Sequence, residues 1–245
     1  MTTISARLIA STKIDRAALA EIGYREHAHE LPDGRFDLFE TDIDELHEAA
    51  GRNCYLSWSR PNPNTATNAG YLDHIHEVGH ESIEEHGSAT FYIHASRSVL
   101  AELERHRHLS FSVVSQRYVD ATGLGYHVPP AVDDLPADQA ELARTWLLDM
   151  VAEADDNYQK LVDLFVEAGK PRKQAREAAR AVIPNMTDSP MVVTGNMRAW
   201  KHVIRMRWHV AADAEIRELA GLILAELRKI APNTMQDVPD VPFGS

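Results

Sequence analysis

Between Pro136 and Ala168, apolar side chains recur every three or four residues: Leu142, Trp146, Leu147, Met150, Val151, Tyr158, Leu161, Leu164 and Phe165. That period predicts one long helix. Strand-like runs elsewhere are few and scattered. Residues 4–10 read as a short strand, residues 88–95 carry aromatic and β-branched residues in partial alternation, and residues 191–196 read as a third strand. The stretch LSFSVVSQRYV is β-rich and fits either a strand or an extended loop. These runs do not fall into βαβ units, and no GxGxxG or Walker-type loop is present. The expected fold is therefore α+β: a single domain with a small mixed or antiparallel sheet flanked by several helices.

Capping residues place the other helices. Thr41 or Asp42 starts one running to about Ala50, and Thr67 or Asn68 starts the next. Between them, GRNCYLSWSRPNPNTATN reads as an ordered loop. Ser96 caps a helix to about Arg107, and Pro171 sits in the first turn of another that ends near Pro184. Two more follow, at about 198–208 and 213–230. Residues 15–40 read as loop or weak helix. The domain is expected to span 1–231, with 232–245 a loose, Pro-containing tail.

No run approaches the ~18 apolar residues of a membrane span, and the N-terminus lacks the pattern of a signal peptide. A cytoplasmic protein with no membrane partner is expected. The single cysteine, Cys54, allows neither an internal disulfide nor a Cys-based zinc cage, and it is expected to be a buried small side chain. Formal net charge is −12. A surface this acidic repels nucleic acid overall, so any anion site must be a local concentration of basic groups.

Residues 76–80, HEVGH, match the zinc motif HExxH, with His86 at the spacing of a third ligand. Against that reading, Ile83 replaces the glycine of the extended motif, and Gly79 weakens the helix that must present both histidines. With 13 histidines in the chain a two-His match arises easily by chance. His74 and His76 are expected on a polar helix face.

The clearest local reversal of charge is RHRHLSFSVVSQRY, residues 105–118. Arg105, Arg107 and Arg117 have no acid between them, and two histidines and three serines add donors. Guanidinium forks bind phosphate bidentately, so the segment fits an anion site. Charge alone fits equally well a surface arginine patch paired with Glu102 and Glu104.

The residues of this segment fill every fixed position of RHRxxSxxxxSxR, and the chain thereby resembles the flavin-dependent thymidylate synthase family. GRNCYLSW, NPNTATNAGYL, VGHESIEEH, KQAREAARAVIPN, VVTGNMRAWKH and EIRELA are also similar to family blocks, in family order, over roughly residues 45–230. The resemblance implies C5-methylation of a uracil nucleoside monophosphate. FAD would be bound, NADPH would be the reductant, and methylenetetrahydrofolate would be the one-carbon donor that leaves as tetrahydrofolate. It also implies a homotetramer with FAD at subunit interfaces. By the same resemblance Ser82, Arg105, His106, Arg107, Met206, Arg207 and Trp208 contact FAD. Glu102, Arg105, Ser115, Gln116 and Arg117 hold the nucleotide. Arg97 adds a phosphate contact from a neighbouring subunit, and Arg217 contacts the uracil and stabilises its N3 anion. Cys54 is not placed to act as the nucleophile of flavin-free thymidylate synthases, in keeping with chemistry carried by a cofactor.

Three positions depart from the family pattern. Val113 stands where many relatives have Glu or Gln, Pro190 where they often have Arg before VVTGN, and Ala211 where they often have His. Each removes bonding groups expected near the sugar and phosphate, at about 1–3 kcal/mol per bond left unmade. This leaves open two substrates, dUMP or UMP, the latter used by a branch of the family in polyoxin-type antibiotic biosynthesis. A nucleotide- and FAD-binding paralogue without turnover is a further alternative.

Overall fold

The computed structural model describes residues 1–24, 29–30, 36–37, 41–60 and 62–245. In chain order the elements are β1 (Ser5–Ser11), α1 (Arg16–Glu21), β2 (His29–Glu30), β3 (Phe36–Asp37), α2 (Asp42–Tyr55), α3 (Asn68–Val78), β4 (Ser88–His94), α4 (Arg97–Leu103), β5 (Ser110–Val113), α5 (Ala137–Glu167), α6 (Arg172–Ala179), β6 (Met191–Asn196), α7 (Met197–Arg207) and α8 (Ala214–Ile230). Four strands form one sheet in the order β1-β4-β6-β5, with every neighbouring pair antiparallel. The α+β expectation holds, and the sheet is antiparallel rather than mixed. Part of the segment 15–40 lies outside the described residues, and α1 supplies the helical portion of what is described.

Alternation along the strands explains the layering. Ala89, Phe91 and Ile93 of β4 and Met191 and Val193 of β6 are fully buried on one face. They meet Trp200 and Ile204 of α7, Ile216, Leu219 and Ile223 of α8, and Leu103 of α4. The Trp200 ring lies edge-on to Phe91 with centroids 5.1 Å apart, and its Nε1–H donates to the Ala89 carbonyl at 3.0 Å. The opposite face is polar, and Thr90 and Thr194 share a hydroxyl hydrogen bond of 2.9 Å there. A second, smaller core forms where Tyr158 and Val162 of α5 bury Ala175 and Ala179 of α6. No helix among the described residues is long and apolar enough to cross a membrane.

Four expectations need correction. The helix from Thr41 does not stop near Ala50 but runs to Tyr55. Arg52 sustains it, donating from Nε to Glu48 one turn back at 2.5 Å and stacking over the Tyr71 ring at 4.4 Å. The expected loop begins only at Leu56, which takes a left-handed φ of 48°. Cys54 is consequently exposed on the last turn of α2 rather than buried. The helix capped by Ser96 ends at Leu103, four residues before Arg107. Leu109 anchors the following turn by packing against Gly195, where a Cβ would lie only 2.4 Å from the leucine. That leaves Arg105–Arg107 on a turn instead of a helix face.

The tail is not loose. Thr234, Met235 and Val238 are buried. Buried Asp44 accepts from the Thr234 N–H at 2.9 Å, the Thr234 hydroxyl at 2.6 Å and the Asn233 N–H at 3.0 Å. Phe243 and Trp208 are joined through main-chain hydrogen bonding, the Phe243 N–H donating to the Trp208 carbonyl at 2.9 Å. The composition suggested a free end, but a carboxylate far back in the chain satisfies its backbone donors. Replacing Thr234 by Val keeps the shape and removes the hydroxyl donor to Asp44. The expected cost is about 1–3 kcal/mol of stability, read from urea-unfolding midpoints.

Candidate active site

The turn after α4 gathers several of the expected site residues, and α4 itself is fixed at its start. The Ser96 hydroxyl caps α4 by accepting from the Val99 N–H at 3.2 Å. The same hydroxyl donates to Glu215 Oε2 at 2.7 Å, and the Ser96 N–H donates to Glu215 Oε1 at 2.9 Å. Glu215 lies in the first turn of α8, so this double tie places α4 beside the turn of α8 that carries Arg217.

At the other end of α4, Arg207 from the last turn of α7 reaches across. Its Nη1 donates to Glu102 at 2.7 Å, its Nη2 to the Glu102 carbonyl at 3.3 Å, and its Nε to His106 Nε2 at 3.1 Å. Three expected site residues are thus in one contact. Because Arg207 donates to Nε2, the His106 imidazole must be neutral with its proton on Nδ1. Burial, the Arg207 charge and the neighbouring His202 push the His106 pKa down to about 4. His202 stacks edge-on against it at 5.5 Å. Burial raises the Glu102 pKa, Arg207 works against this, and Asp213 and Glu215 add to it.

The surface-patch alternative paired the arginines with Glu102 and Glu104; the Glu104 side chain makes no ion pair or hydrogen bond among the described residues, and Glu102 is engaged elsewhere. Arg207 takes that carboxylate instead. Arg105 and Arg107 are exposed, and neither side chain makes an ion pair or hydrogen bond among the described residues. Beside this turn lies a cleft of ≈ 490 Å³, lined by Glu81, Glu85, His108, Asn196, Arg198, Ala199, His202 and Arg205. Ser82 sits exposed on the short helical turn Glu81–Glu85 that forms one wall. Arg198, His202 and Arg205 were not singled out from the sequence. Their spacing of four and then three residues, which puts them on one face of α7, was the available signal.

The second half of the motif behaves differently. Gln116 is 6% exposed, and its side-chain Nε2 is buried without a hydrogen-bond partner among the described residues. Buried donors are nearly always satisfied, so this amide is a candidate ligand contact. Arg117 is exposed, 3.8 Å from Glu177, beside a groove of ≈ 410 Å³ that also carries Lys170, Lys173 and Gln174. The Ser115 carbonyl accepts from the N–H groups of Tyr118 and Val119 at 3.0 and 2.9 Å, turning the chain there.

The remaining expected residues are more dispersed. Arg97 is half-exposed at the start of α4, and its N–H donates to the Thr187 carbonyl at 3.1 Å. Arg217 donates from Nη1 to the Val210 carbonyl at 2.9 Å and makes no contact with residues 105–118 among the described bonds. Met206 is exposed. The Trp208 indole packs inward against Gly221 and donates toward the Pro239 carbonyl at 3.4 Å, so it joins α8 to the tail.

The zinc alternative fails on geometry. Gly79, at φ 71°, ends α3 at Val78, so His80 lies outside the helix that carries His76. His76 is not on a polar face either. Its side chain is 6% exposed and bonds through Nε2 to Glu84 at 3.0 Å. Fully buried Lys201 completes this network, 2.8 Å from Glu84 and 2.9 Å from Asp237. No metal-holding group of His, Cys, Asp and Glu occurs among the described residues.

Residues 38–233 match the family model described as thymidylate synthase complementing protein. A probable flavin-dependent thymidylate synthase of Mycobacterium phage L5 is 60% identical over 242 residues, covering 98% of this chain and 99% of the relative. A flavin-dependent thymidylate synthase of Mycobacterium tuberculosis is 47% identical over 207 residues, covering 80% and 81%. Among solved structures, the UMP/dUMP methylase PolB of Streptomyces cacaoi, bound with 5-Br dUMP, superposes with a TM-score of 0.69 over 99% of this chain and 97% of that one, at 22% identity.

His106, and His47 buried in α2 with its Nδ1 2.9 Å from the Thr234 hydroxyl, are both held near 4, in each case chiefly by burial. Each is neutral in the folded protein and takes up a proton on unfolding below the ordinary value of 6.5. Their contribution is therefore present above 6.5 and is lost as the pH falls toward 4. The urea midpoint is expected to drop between about pH 7 and pH 5. In an NMR titration the His106 ring signals should stay unshifted over that range, and a transition near 6.5 would contradict the placement of its proton.

Proposed function

The chain belongs to the flavin-dependent thymidylate synthase family, and on that premise we propose that it methylates C5 of dUMP, with FAD as cofactor, methylenetetrahydrofolate as one-carbon donor and NADPH as reductant. The observation that carries this reading is the pair of unpaired guanidiniums, Arg105 and Arg107, on a turn braced by Arg207 in a chain of net charge −12.

The donor set fits a dinucleotide. Arg105 and Arg107 offer two free forks for phosphate oxygens. The adjoining cleft offers mixed polar walls through Glu81, Glu85 and Asn196, with the imidazole of His202 beside them. Bound there and reduced by NADPH, the flavin would supply the hydride that completes the methyl group, so that the folate would leave as tetrahydrofolate. The protein's own residues bind and orient. Burial and Arg207 keep His106 neutral, and Arg207 holds Glu102, so that the turn presents its arginines without competition from Glu102. Gln116 offers its buried amide to the nucleotide, and Arg117, at the open groove, offers a second contact to it. Arg217, held by the Val210 carbonyl, supplies a fixed cation that favours a deprotonated uracil ring and so activates C5.

The dUMP reading is favoured over UMP by the position of Val113. It lies on the covered face of β5, packed against the main core with Phe111. Its apolar side chain therefore fills the core rather than enlarging a sugar pocket. A homotetramer, with Arg97 reaching a neighbour's nucleotide, completes the proposal. An exposed apolar stripe on α5, made of Leu142, Trp146 and Met150, offers surface for such assembly.

Turnover of purified protein with FAD, NADPH and methylenetetrahydrofolate on dUMP and on UMP tests the proposal. A kcat/KM favouring dUMP is expected; preference for UMP would reassign the substrate, and flavin binding without methylated product would mark a non-catalytic paralogue. Arg107→Ala should weaken FAD binding roughly 10- to 100-fold, the worth of one charge-assisted contact. Arg217→Ala should retain FAD while kcat falls by about 10²-fold.

A further inference from the structure

One buried acid lies outside the residues assigned so far. Asp188 is 4% exposed, and an imidazole meets each of its oxygens. His94 Nδ1 lies 2.6 Å from Oδ2, and His127 Nε2 lies 2.8 Å from Oδ1. Burial would raise its pKa, but the two histidines outweigh that and hold it below the ordinary range, so it is ionised. Both rings therefore point a proton at it.

The two histidines differ in what they leave over. His127 is buried, with 3% of its surface exposed, and serves to hold Asp188. The His94 side chain is 30% exposed. With Nδ1 committed to Asp188, Nε2 is on the far side of the ring and has no partner among the described residues. Tyr92 stands edge-on to the ring at 5.0 Å and limits its rotation. The arrangement is an oriented imidazole with one free nitrogen.

Strand register gives its location. Ile93 of β4 pairs with Met191 of β6, which pairs with Val113 of β5. One step further along, His94 falls opposite Pro190, whose carbonyl accepts from the Val114 N–H at 3.0 Å. His94, Pro190 and Val114 thus form a row across three strands, about 10 Å wide at two strand spacings. At one end of this row the chain leaves β5 into Ser115–Arg117; at the other it enters α4 at Arg97. A nucleotide held by Gln116 and Arg117 spans such a distance. Pro190 in the middle contributes neither charge nor N–H to the row. His94 is the row's polar side chain.

We propose that His94 binds the phosphate of the uracil nucleotide through Nε2, oriented by Asp188 and His127; this rests on the function proposed above. Between a carboxylate and a phosphate, a ring with a proton on each nitrogen donates one hydrogen bond to each anion. The test compares ligands with and without the phosphate, dUMP and deoxyuridine, by calorimetric titration of the FAD-loaded protein. His94→Ala should weaken dUMP roughly 10-fold or more and leave deoxyuridine unchanged. His94→Gln, which keeps a donor and the bulk of the ring, should recover part of the dUMP affinity, and it serves in its place if the Ala variant melts early. An equal loss for both ligands, or no loss for dUMP, overturns the inference and leaves the function intact. Wild-type protein that binds no uracil nucleotide overturns both.

Discussion

Arg207 decides how the charges of the site are distributed. Its guanidinium spans from α7 to the end of α4 and satisfies the Glu102 carboxylate, the Glu102 carbonyl and His106 at once. Had Glu102 instead paired with Arg105 or Arg107, the turn would be a neutralised surface patch. With Glu102 taken, those two arginines keep their full bonding capacity for a ligand. A guanidinium suits this role because its planar fork serves three acceptors in fixed directions, which a lysine ammonium cannot do in the same geometry.

The surrounding fold holds Arg207 and the turn in register. Glu215 ties the start of α4 to α8, and Trp200 ties α7 to the sheet. The buried Lys201–Glu84–Asp237 network joins α7 to the turn that carries Ser82 and to the C-terminal tail. Such a network contributes little net stability over an apolar core, but breaking one partner strands a buried charge. Its consequence here is positional: the wall of the cleft, α7 and the tail share one set of ion pairs. His94 and Asp188 extend the same logic to the polar face of the sheet, where an ionised acid fixes the orientation of a half-exposed ring.

Much of this was legible in the residues. The period of α5 and the alternation in β4 report burial directly, and Thr41, Thr67 and Ser96 cap helices because their hydroxyls satisfy the first free N–H groups. RHRHLSFSVVSQRY stood out as the local reversal of charge, which by itself fitted an anion site and a surface arginine patch equally. Other features depend on partners distant in the chain, which local reading does not reach. Arg52 extends α2 through contacts with Glu48, Thr65 and Tyr71. Asp44 pins the tail across 190 positions of sequence. Arg207 was expected to touch a cofactor; that its first partners are Glu102 and His106 required the packing of α7 on α4. The HEVGH pattern looked like a metal site only while α3 was allowed to continue through Gly79.

If free arginines braced by Arg207 serve reductive methylation of a uracil nucleotide with flavin, the folate released is tetrahydrofolate rather than dihydrofolate. Purified protein supplied with FAD, NADPH, dUMP and methylenetetrahydrofolate is quenched, and the nucleotide and folate products are resolved by chromatography. Equal amounts of dTMP and tetrahydrofolate are expected, with no product when flavin is withheld. Dihydrofolate in place of tetrahydrofolate, or dTMP formed without flavin, would contradict this expectation.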